Sequence, residues 1–291
     1  MSKFVKQKNG IYIAEDTINT IERIEGVMTK ANSQKINQHG KGVKFHTEVE
    51  FYNEFGELID KGSNELLLSG GLFTLSKLSG IDIPLQIKTI NQDLGINVNE
   101  TVEPYSGPRR EDIIRGFMIG LDGCGDAFDT VNTVFMKQRT ITSLIPFRMI
   151  EINDTTIDPD DLEKYKLKVA EDGYYKYYAK GFETDPEIRC EFDEIGAPPV
   201  PSNVDELETK AVINTYLRYV LKINLNDVRE FFKLIGGGLR KARVNTLGLI
   251  TGYPGDDGDL KGTRMWSKIN FNNEPFDNNT KELTVVYKIY I

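Results

Sequence analysis

Two loops of this sequence combine aspartates with glycines in a way that could hold a calcium ion. They are the stretch from Asp122 to Asp129 and the run DDGD at 256–259. Calcium binds carboxylate and backbone oxygens, but neither loop has the DxDxDG spacing closed by a glutamate. Aspartate and glycine are also the usual residues of hairpin tips, because they suit turn geometry. We therefore predict that Asp256, Asp257 and Asp259 form an exposed contact tip and that the protein has no cofactor, with a calcium site as the alternative.

A triple glycine at 236–238, followed by Arg240 and Lys241, invites comparison with phosphate-binding loops. Its spacing matches neither GxxxxGK[ST] nor GxGxxG, and it follows a predicted helix instead of preceding one. The C-terminal end of a helix presents carbonyl oxygens, which repel phosphate. We interpret these glycines as the end of a helix and expect no nucleotide there.

Groups that could catalyse hydrolysis are present without a recognisable arrangement. The 44 acidic residues make chance carboxylate pairs certain, and no GxSxG motif or ordered Ser, His and Asp set stands out. Cys124 has no obvious histidine partner, and no cysteine or second histidine pair completes a zinc set with His39 and His46. We predict that the protein is not an enzyme, and a polysaccharide hydrolase remains the alternative.

An aromatic run at 174–182 could stack on sugars or bases. On a strand, Tyr175 and Tyr177 face one side, whereas Tyr174 and Tyr178 face the other. Half of these rings are expected in the core and half in a contact patch. We name Tyr175 and Tyr177 as candidate interaction residues. An assembly interface accounts for both faces, and a carbohydrate-binding module is the alternative.

The overall composition limits the function classes. The 291 residues carry 36 basic and 44 acidic side chains, a net charge of -8, which argues against nucleic acid as the main partner because phosphate binding needs clustered positive charge. Cys124 and Cys190 are too few for a disulfide framework. No apolar run reaches the roughly 18 to 20 residues that a membrane span requires. We expect synthesis in a reducing cytoplasm and no membrane partner.

The positions of apolar residues predict mostly strands. Residues 43–51 alternate as a half-buried strand does, and a turn at 53–56 leads into a return strand at 57–61. In the leucine-rich stretch 63–80, the pair Gly70 and Gly71 is expected to break the apolar run before a short helix that ends at Gly80. We predict that this helix is buried against the hairpin. Further strands are predicted at 85–90, at 113–121, at 140–152, where Pro146 requires an edge or a bulge, and at 174–182, with 187–193 expected to pair beside the last.

Two short helices have recognisable ends. Asp158 followed by Pro159 is a typical helix start, with a capping side chain and a proline at the first helical position. Residues 226–235 form a second capped helix that the triple glycine ends. The stretch 211–225 between them fits a strand or an amphipathic helix, and we favour the strand.

The stretch 244–291 predicts three strands joined by the acidic loop and a polar turn, with Leu283, Val285, Tyr287 and Ile289 alternating along the last strand. The predicted fold class is mainly β (α+β): an antiparallel β-sandwich-like core with a few short helices and long loops. Residues 1–42 are predicted to form an N-terminal arm. Residues 43–291 are predicted to form a single β-rich domain, which the proline-rich stretch 195–204 would subdivide if it is a linker.

Several of these stretches resemble structural proteins of tailed-bacteriophage virions. Asn64 to Leu72 (NELLLSGGL) resembles an element in which an asparagine, an apolar run and a glycine precede a short helix. Residues 116–125 (GFMIGLDGCG) resemble an apolar strand that opens into a small-residue loop. Residues 244–249 and 266–291 resemble the closing strands of tail-collar and fibre-anchoring domains, and the order of the elements matches from residue 43 onward.

This resemblance implies a structural subunit of a virion. Fibre-anchoring members continue into a shaft, whereas this sequence stops at Ile291, and Thr246 stands where an acidic residue is usual. These departures favour a ring or decoration component at the neck, collar or baseplate. The implied partners are portal, neck, tail or baseplate subunits, further copies of the chain, and fibres. The implied location is the virion, after synthesis in the host cytoplasm.

Overall fold

The structure is a computed structural model that describes residues 4–6, 12–14, 46–81, 88–96, 112–124, 141, 143–192, 212–276 and 281–290. Its strands are β1 (Phe4–Lys6), β2 (Tyr12–Ala14), β3 (His46–Tyr52), β4 (Leu58–Gly62), β5 (Glu65–Leu66), β6 (Ile113–Gly120), β7 (Leu144–Ile145), β8 (Arg148–Glu151), β9 (Tyr165–Glu171), β10 (Tyr174–Gly181), β11 (Glu187–Phe192), β12 (Val212–Asn224), β13 (Arg243–Pro254), β14 (Leu260–Pro275) and β15 (Glu282–Tyr290). Its helices are α1 (Leu68–Ser79), α2 (Ile90–Asp93) and α3 (Leu225–Leu234), with 3-10 turns at Pro159–Leu162 and Leu239–Lys241.

Beside the short β1–β2 pair, the described residues form two larger antiparallel sheets. The larger has eight strands in the order β5-β14-β13-β6-β10-β8, and β7 and β9 pair with β6 and β10 respectively. The smaller has five strands in the order β11-β12-β15-β3-β4. β15 therefore lies at the centre of the smaller sheet, hydrogen-bonded on both sides.

The main core lies between the two sheets. Leu283, Val285, Tyr287 and Ile289 of β15 point into it, as their alternation predicts. They meet residues of the larger sheet, including Phe117, Leu247 and Phe271. The Tyr287 hydroxyl also lies 2.7 Å from the Ser267 hydroxyl, so a buried hydrogen bond joins the sheets. The predicted fold class, mainly β with an antiparallel sandwich core, is confirmed.

The larger sheet buries residues on its other face as well. Met118, Ile250 and Met265 form a second cluster there, together with Ile90 of α2 and Ile141. Thr89 caps α2, because its side chain accepts from the Gln92 N–H and the Gln92 side chain accepts from the Thr89 N–H. The predicted strand 85–90 is wrong at Ile90, where this capping box starts a helix, and residues 85–87 lie outside the described part.

Two strand predictions need correction. The strand expected at 140–152 is two short strands, β7 and β8, because Pro146 has no N–H to continue a ladder. We expected β11 to pair with β10. Instead, β11 lies in the smaller sheet and pairs with β12. The strands predicted at 113–121 and 174–182 are confirmed. The strand interpretation of 211–225 is confirmed for Val212–Asn224, whereas Leu225 is the first residue of α3.

The predicted domain division is only partly covered. Within 1–42, β1 and β2 pair with each other, and the remaining residues lie outside the described ranges. The predicted linker 195–204 also lies outside them. The division therefore stays a prediction.

Candidate functional site

Helix α1 carries an exposed apolar surface. Leu68, Leu75 and Leu78 are 39%, 65% and 70% exposed, and Ile81, just beyond the helix, is 68% exposed. Spacings of seven and three residues place the three leucines on one side of the helix. We call Leu68, Leu75, Leu78 and Ile81 the leucine stripe.

The opposite side of α1 explains why the leucines face outward. Ser69 and Gly70 are buried, and the Ser69 hydroxyl donates to the carbonyl of Met265 in β14. A Cβ atom on Gly70 would overlap the carbonyl group of Trp266, so only glycine permits this approach. The Trp266 indole N–H donates to the Thr74 hydroxyl at 3.0 Å.

A helix that ends at Gly80 is therefore confirmed, but α1 runs through Gly70 and Gly71 instead of starting after them, and its predicted packing is wrong. We expected the leucines to be buried against the β3–β4 hairpin. Instead, Ser69 and Gly70 contact β14, and Leu68, Leu75 and Leu78 remain exposed. Only Phe73, and more weakly Leu72, join the main core from this helix.

The outer face of the smaller sheet carries aligned rows of polar and aromatic side chains. Even-numbered residues of β3, β12 and β15 point away from the core, so each row crosses the three strands. The rows are Tyr216, Tyr290 and His46; Arg218, Lys288 and Glu48; Val220, Val286 and Glu50; and Lys222, Thr284 and Tyr52.

Four charged residues of this face neutralise one another. The Lys288 ammonium lies 3.0 Å from Glu50 and 3.5 Å from Glu48, and the Lys61 ammonium lies 3.2 Å from Glu50 and 2.5 Å from Glu48. Burial acts to raise the pKa of Glu50, but hydrogen bonds from Lys288 and Tyr52 outweigh it and hold that pKa below its ordinary value. The pKa of Glu48 is also below its ordinary value. Burial acts to raise that pKa, and the hydrogen bond from Lys61 is the main cause that lowers it.

Aromatic rings cover one end of the same face. The rings of His46 and Tyr290 stack with their centroids 4.3 Å apart, and the Tyr216 ring lies 5.0 Å from that of Tyr290. Burial, together with the charges of Glu48 and Glu191, raises the pKa of Tyr290. Burial lowers the pKa of His46, although the same two carboxylates act in the opposite direction. His46 is thus a stacked ring of the sheet surface whose pKa lies below its ordinary value.

A depression of about 480 Å³ lies on this outer face. Because β15 runs between β12 and β3, its short side chains Thr284 and Val286 form the floor, and residues of the β3–β4 turn also line the depression. Its lining consists of Glu50, Tyr52, Asn53, Glu54, Gly56, Arg189, Tyr216, Arg218, Glu282, Thr284, Val286 and Lys288.

The two predicted tyrosines lie on the core side of β10. Tyr177 is 7% exposed and belongs to the main core, so its ring has little surface for another molecule. Tyr175 is partly buried against the same core, and the Lys168 ammonium lies 3.8 Å from the centre of its ring. An interaction role stays a prediction for Tyr175, and Tyr177 is better explained as a core residue.

The three predicted aspartates lie in the turn between β13 and β14, about as the sequence indicates. Asp256 is exposed, and Asp257 forms an ion pair of 2.8 Å with Lys261. Asp259 accepts the backbone N–H groups of Leu167 and Lys168 at 2.6 and 3.0 Å. Leu167 has a positive φ of 57°, so Asp259 holds an unusual point of β9 in place.

The turn is thus docked on β9 through Asp259, which the sequence did not indicate. Among the described residues, no group of three or more His, Cys, Asp or Glu side chains could hold a metal ion. The calcium alternative for 122–129 falls largely on residues outside the described ranges.

A buried polar network was also missed by the sequence reasoning. Lys180 of β10 is fully buried, and its ammonium lies 2.9 Å from Asp227 at the start of α3. The Tyr165 hydroxyl donates to the other Asp227 oxygen at 2.6 Å, and the Asn224 N–H donates to Asp227 at 3.0 Å. Burial and the charge of Asp227 raise the pKa of Tyr165. The sequence signal that could have revealed this network is Lys180, a lysine within the aromatic strand β10.

The triple glycine ends α3 as predicted. The N–H groups of Gly236 and Gly238 donate to the carbonyls of Phe231 and Phe232 at 2.9 and 2.8 Å. Such bonds satisfy the last carbonyls of a helix.

The Cys124 thiol donates to the Phe271 carbonyl at 3.1 Å.

No family model, curated protein or solved structure matches this chain. Within the described ranges, no helix is long and apolar enough to cross a membrane.

Proposed function

We propose that this protein is a structural subunit of a tailed-phage virion, present in several copies at the neck, collar or baseplate. The leucine stripe of α1 carries the proposal. Contiguous exposed apolar side chains commonly mark protein interaction sites, whereas single exposed ones need no explanation. A subunit of a multi-copy assembly would bury the stripe against a neighbouring copy.

The chemistry of the stripe favours a protein partner over a small ligand. It consists of aliphatic side chains on the convex surface of a helix, at spacings that fit a groove or a second helix. Complete burial of one leucine or isoleucine contributes about 1.5–3 kcal/mol, and association itself costs several kcal/mol. One such contact is therefore weak, and many copies in a closed ring would reinforce it.

The β3–β4 hairpin offers a second surface for neighbours. β4 is an edge strand, its residues Leu58 and Ile59 are exposed, and Phe55 at the hairpin tip is 80% exposed. Edge strands and exposed aromatic rings are suited to contacts between subunits. The resemblance of the sequence to tail-collar and baseplate proteins supports the assignment to a virion.

The proposal is tested on particles made without this protein. Electron microscopy should show heads and tails that fail to join, or particles without a complete baseplate. Supplying the chain in trans should restore them. Supplying the variant Leu75→Lys/Leu78→Lys should not restore the particles. Supplying the control Leu234→Lys/Ile235→Lys, which changes exposed residues of and beside α3, should restore them. Intact, infectious particles without the protein would refute the proposal.

A further inference from the structure

We propose that the depression on the outer face of the smaller sheet binds a neutral oligosaccharide. This inference goes beyond the assembly role, because it concerns a different surface and a different class of partner. Its volume of about 480 Å³ lies within the roughly 300–1,000 Å³ of typical ligand sites. Most of its lining comes from β3, β12 and β15, strands that have neighbours on both sides, and the rest from Arg189 of β11 and from the β3–β4 turn.

The charges that line the depression point to a neutral ligand. The carboxylates of Glu50, Glu54 and Glu282 are balanced by the cations Arg189, Arg218 and Lys288, so the formal charge of the lining is zero. A phosphate would meet the three carboxylates, and a metal ion would meet the three cations. Either ion would be repelled by half of the charged lining.

Sugar hydroxyls fit such a lining because each can both donate and accept a hydrogen bond. The carboxylates accept only, and the arginine and lysine groups donate only. Lys288 already contacts Glu50 at 3.0 Å, and the Arg189 and Arg218 guanidinium groups both contact Glu187, at 2.5 and 3.5 Å. These pairs hold the side chains in position before a ligand arrives, which lowers the ordering cost of binding.

The floor and one wall of the depression are less polar. Val286 is only 6% exposed, so the half-buried Thr284 beside it offers most of the accessible floor. Of the two lining tyrosines, Tyr216 is 8% exposed and has little free ring surface, whereas Tyr52 is half-buried and has more. The methyl groups of Thr284 and Val286 and the Tyr52 ring, beside a polar rim, match the alternating C–H and O–H surfaces of a pyranose.

The full-length protein is tested by saturation-transfer NMR and calorimetry with four probes: maltohexaose, cellohexaose, laminarihexaose and chitohexaose. We expect saturable binding of at least one probe, with a Kd between about 10 μM and 5 mM. Thr284→Arg, which fills the floor, should weaken that binding by about tenfold or more. Arg229→Ala, at an exposed position of α3 outside the depression, should change it less than about twofold.

Circular dichroism melting establishes that each variant is folded, and Arg218→Ala replaces Thr284→Arg if the latter is not. Failure of all four probes to bind at about 5 mM, or binding that Thr284→Arg and Arg218→Ala leave unchanged, would overturn the proposal. Binding of inorganic phosphate or calcium in this depression instead of a saccharide would overturn it as well. Leu75→Lys/Leu78→Lys should bind the saccharide normally, so this result is independent of the assembly role.

Discussion

The ammonium group of Lys180 lies 2.9 Å from a carboxylate oxygen of Asp227, and both side chains are almost completely removed from solvent. The pair joins the larger sheet to α3 and the end of β12, since Lys180 also donates to the Lys222 carbonyl at 2.8 Å. Removing one member of a buried ion pair leaves the other charge without compensation. This contact therefore fixes how α3 sits against the sandwich.

Replacement of the lysine should consequently be costly. We expect Lys180→Met to lower the free energy of unfolding by about 3–5 kcal/mol in urea titrations. Lys261→Met, which removes a partner of the exposed Asp257, should cost less than about 1 kcal/mol. Adding Asp227→Asn to Lys180→Met should recover part of the loss. Equal stability of Lys180→Met and the wild type would show that the pair does not hold α3.

The contact between α1 and β14 makes opposite predictions for two adjacent glycines. Gly70→Ala places a Cβ atom against the Trp266 carbonyl and should destabilise the protein by about 1–3 kcal/mol. Gly71→Ala places its Cβ 3.7 Å from a Leu66 methyl group, an ordinary contact, and should stabilise the helix by up to about 1 kcal/mol. Melting temperatures of the two variants should therefore move in opposite directions. Similar shifts for both would mean that α1 lies farther from the sheet.

The carboxylate of Glu50 should make stability depend on acid pH. Its pKa lies below the ordinary value of 4.5, so its stabilising effect is present above about pH 4.5 and is lost as the pH falls through the lower, folded-state pKa. Glu50→Gln should be less stable than the wild type at about pH 7, and the difference should shrink at about pH 3. Urea unfolding at both pH values measures it. Asp154→Asn is a useful comparison. The pKa of Asp154 is also lowered, but its carboxylate accepts its hydrogen bonds from the N–H and hydroxyl of Thr156, two residues along the chain. A Glu50→Gln difference that persists unchanged at about pH 3 would contradict the assignment.

The strands were largely predictable because half-buried strands alternate visibly. In β3, Val49 and Phe51 are buried, while His46, Glu48 and Glu50 lie on the outer face. β15 shows the same agreement from Leu283 to Ile289. Some local ends were predictable too, because the capping residue Asp158 and the glycines after α3 act on their immediate neighbours. The start of α3 was not, because Asn224 caps a helix that begins at Leu225, one residue before the predicted start at 226.

What the sequence did not reveal depends on contacts between distant segments. Glu50 and Lys288 are 238 positions apart, and only the strand order places them in one depression. The alternation in β11 could not show which sheet it joins. The orientation of α1 was mispredicted because its leucines suggest burial. The close approach of Ser69 and Gly70 to the Met265 and Trp266 carbonyls of β14 instead decides which side of α1 faces inward.

The central claim, that the leucine stripe joins copies of this protein, is tested most directly by sedimentation velocity of the purified chain. We expect the wild type to form oligomers as its concentration rises from about 1 to 100 μM. Leu75→Lys/Leu78→Lys should remain monomeric, because the lysines place charge in the contact. The matched control Leu234→Lys/Ile235→Lys should associate like the wild type. A wild type that stays monomeric throughout this range, or a stripe variant that associates equally well, would contradict the account.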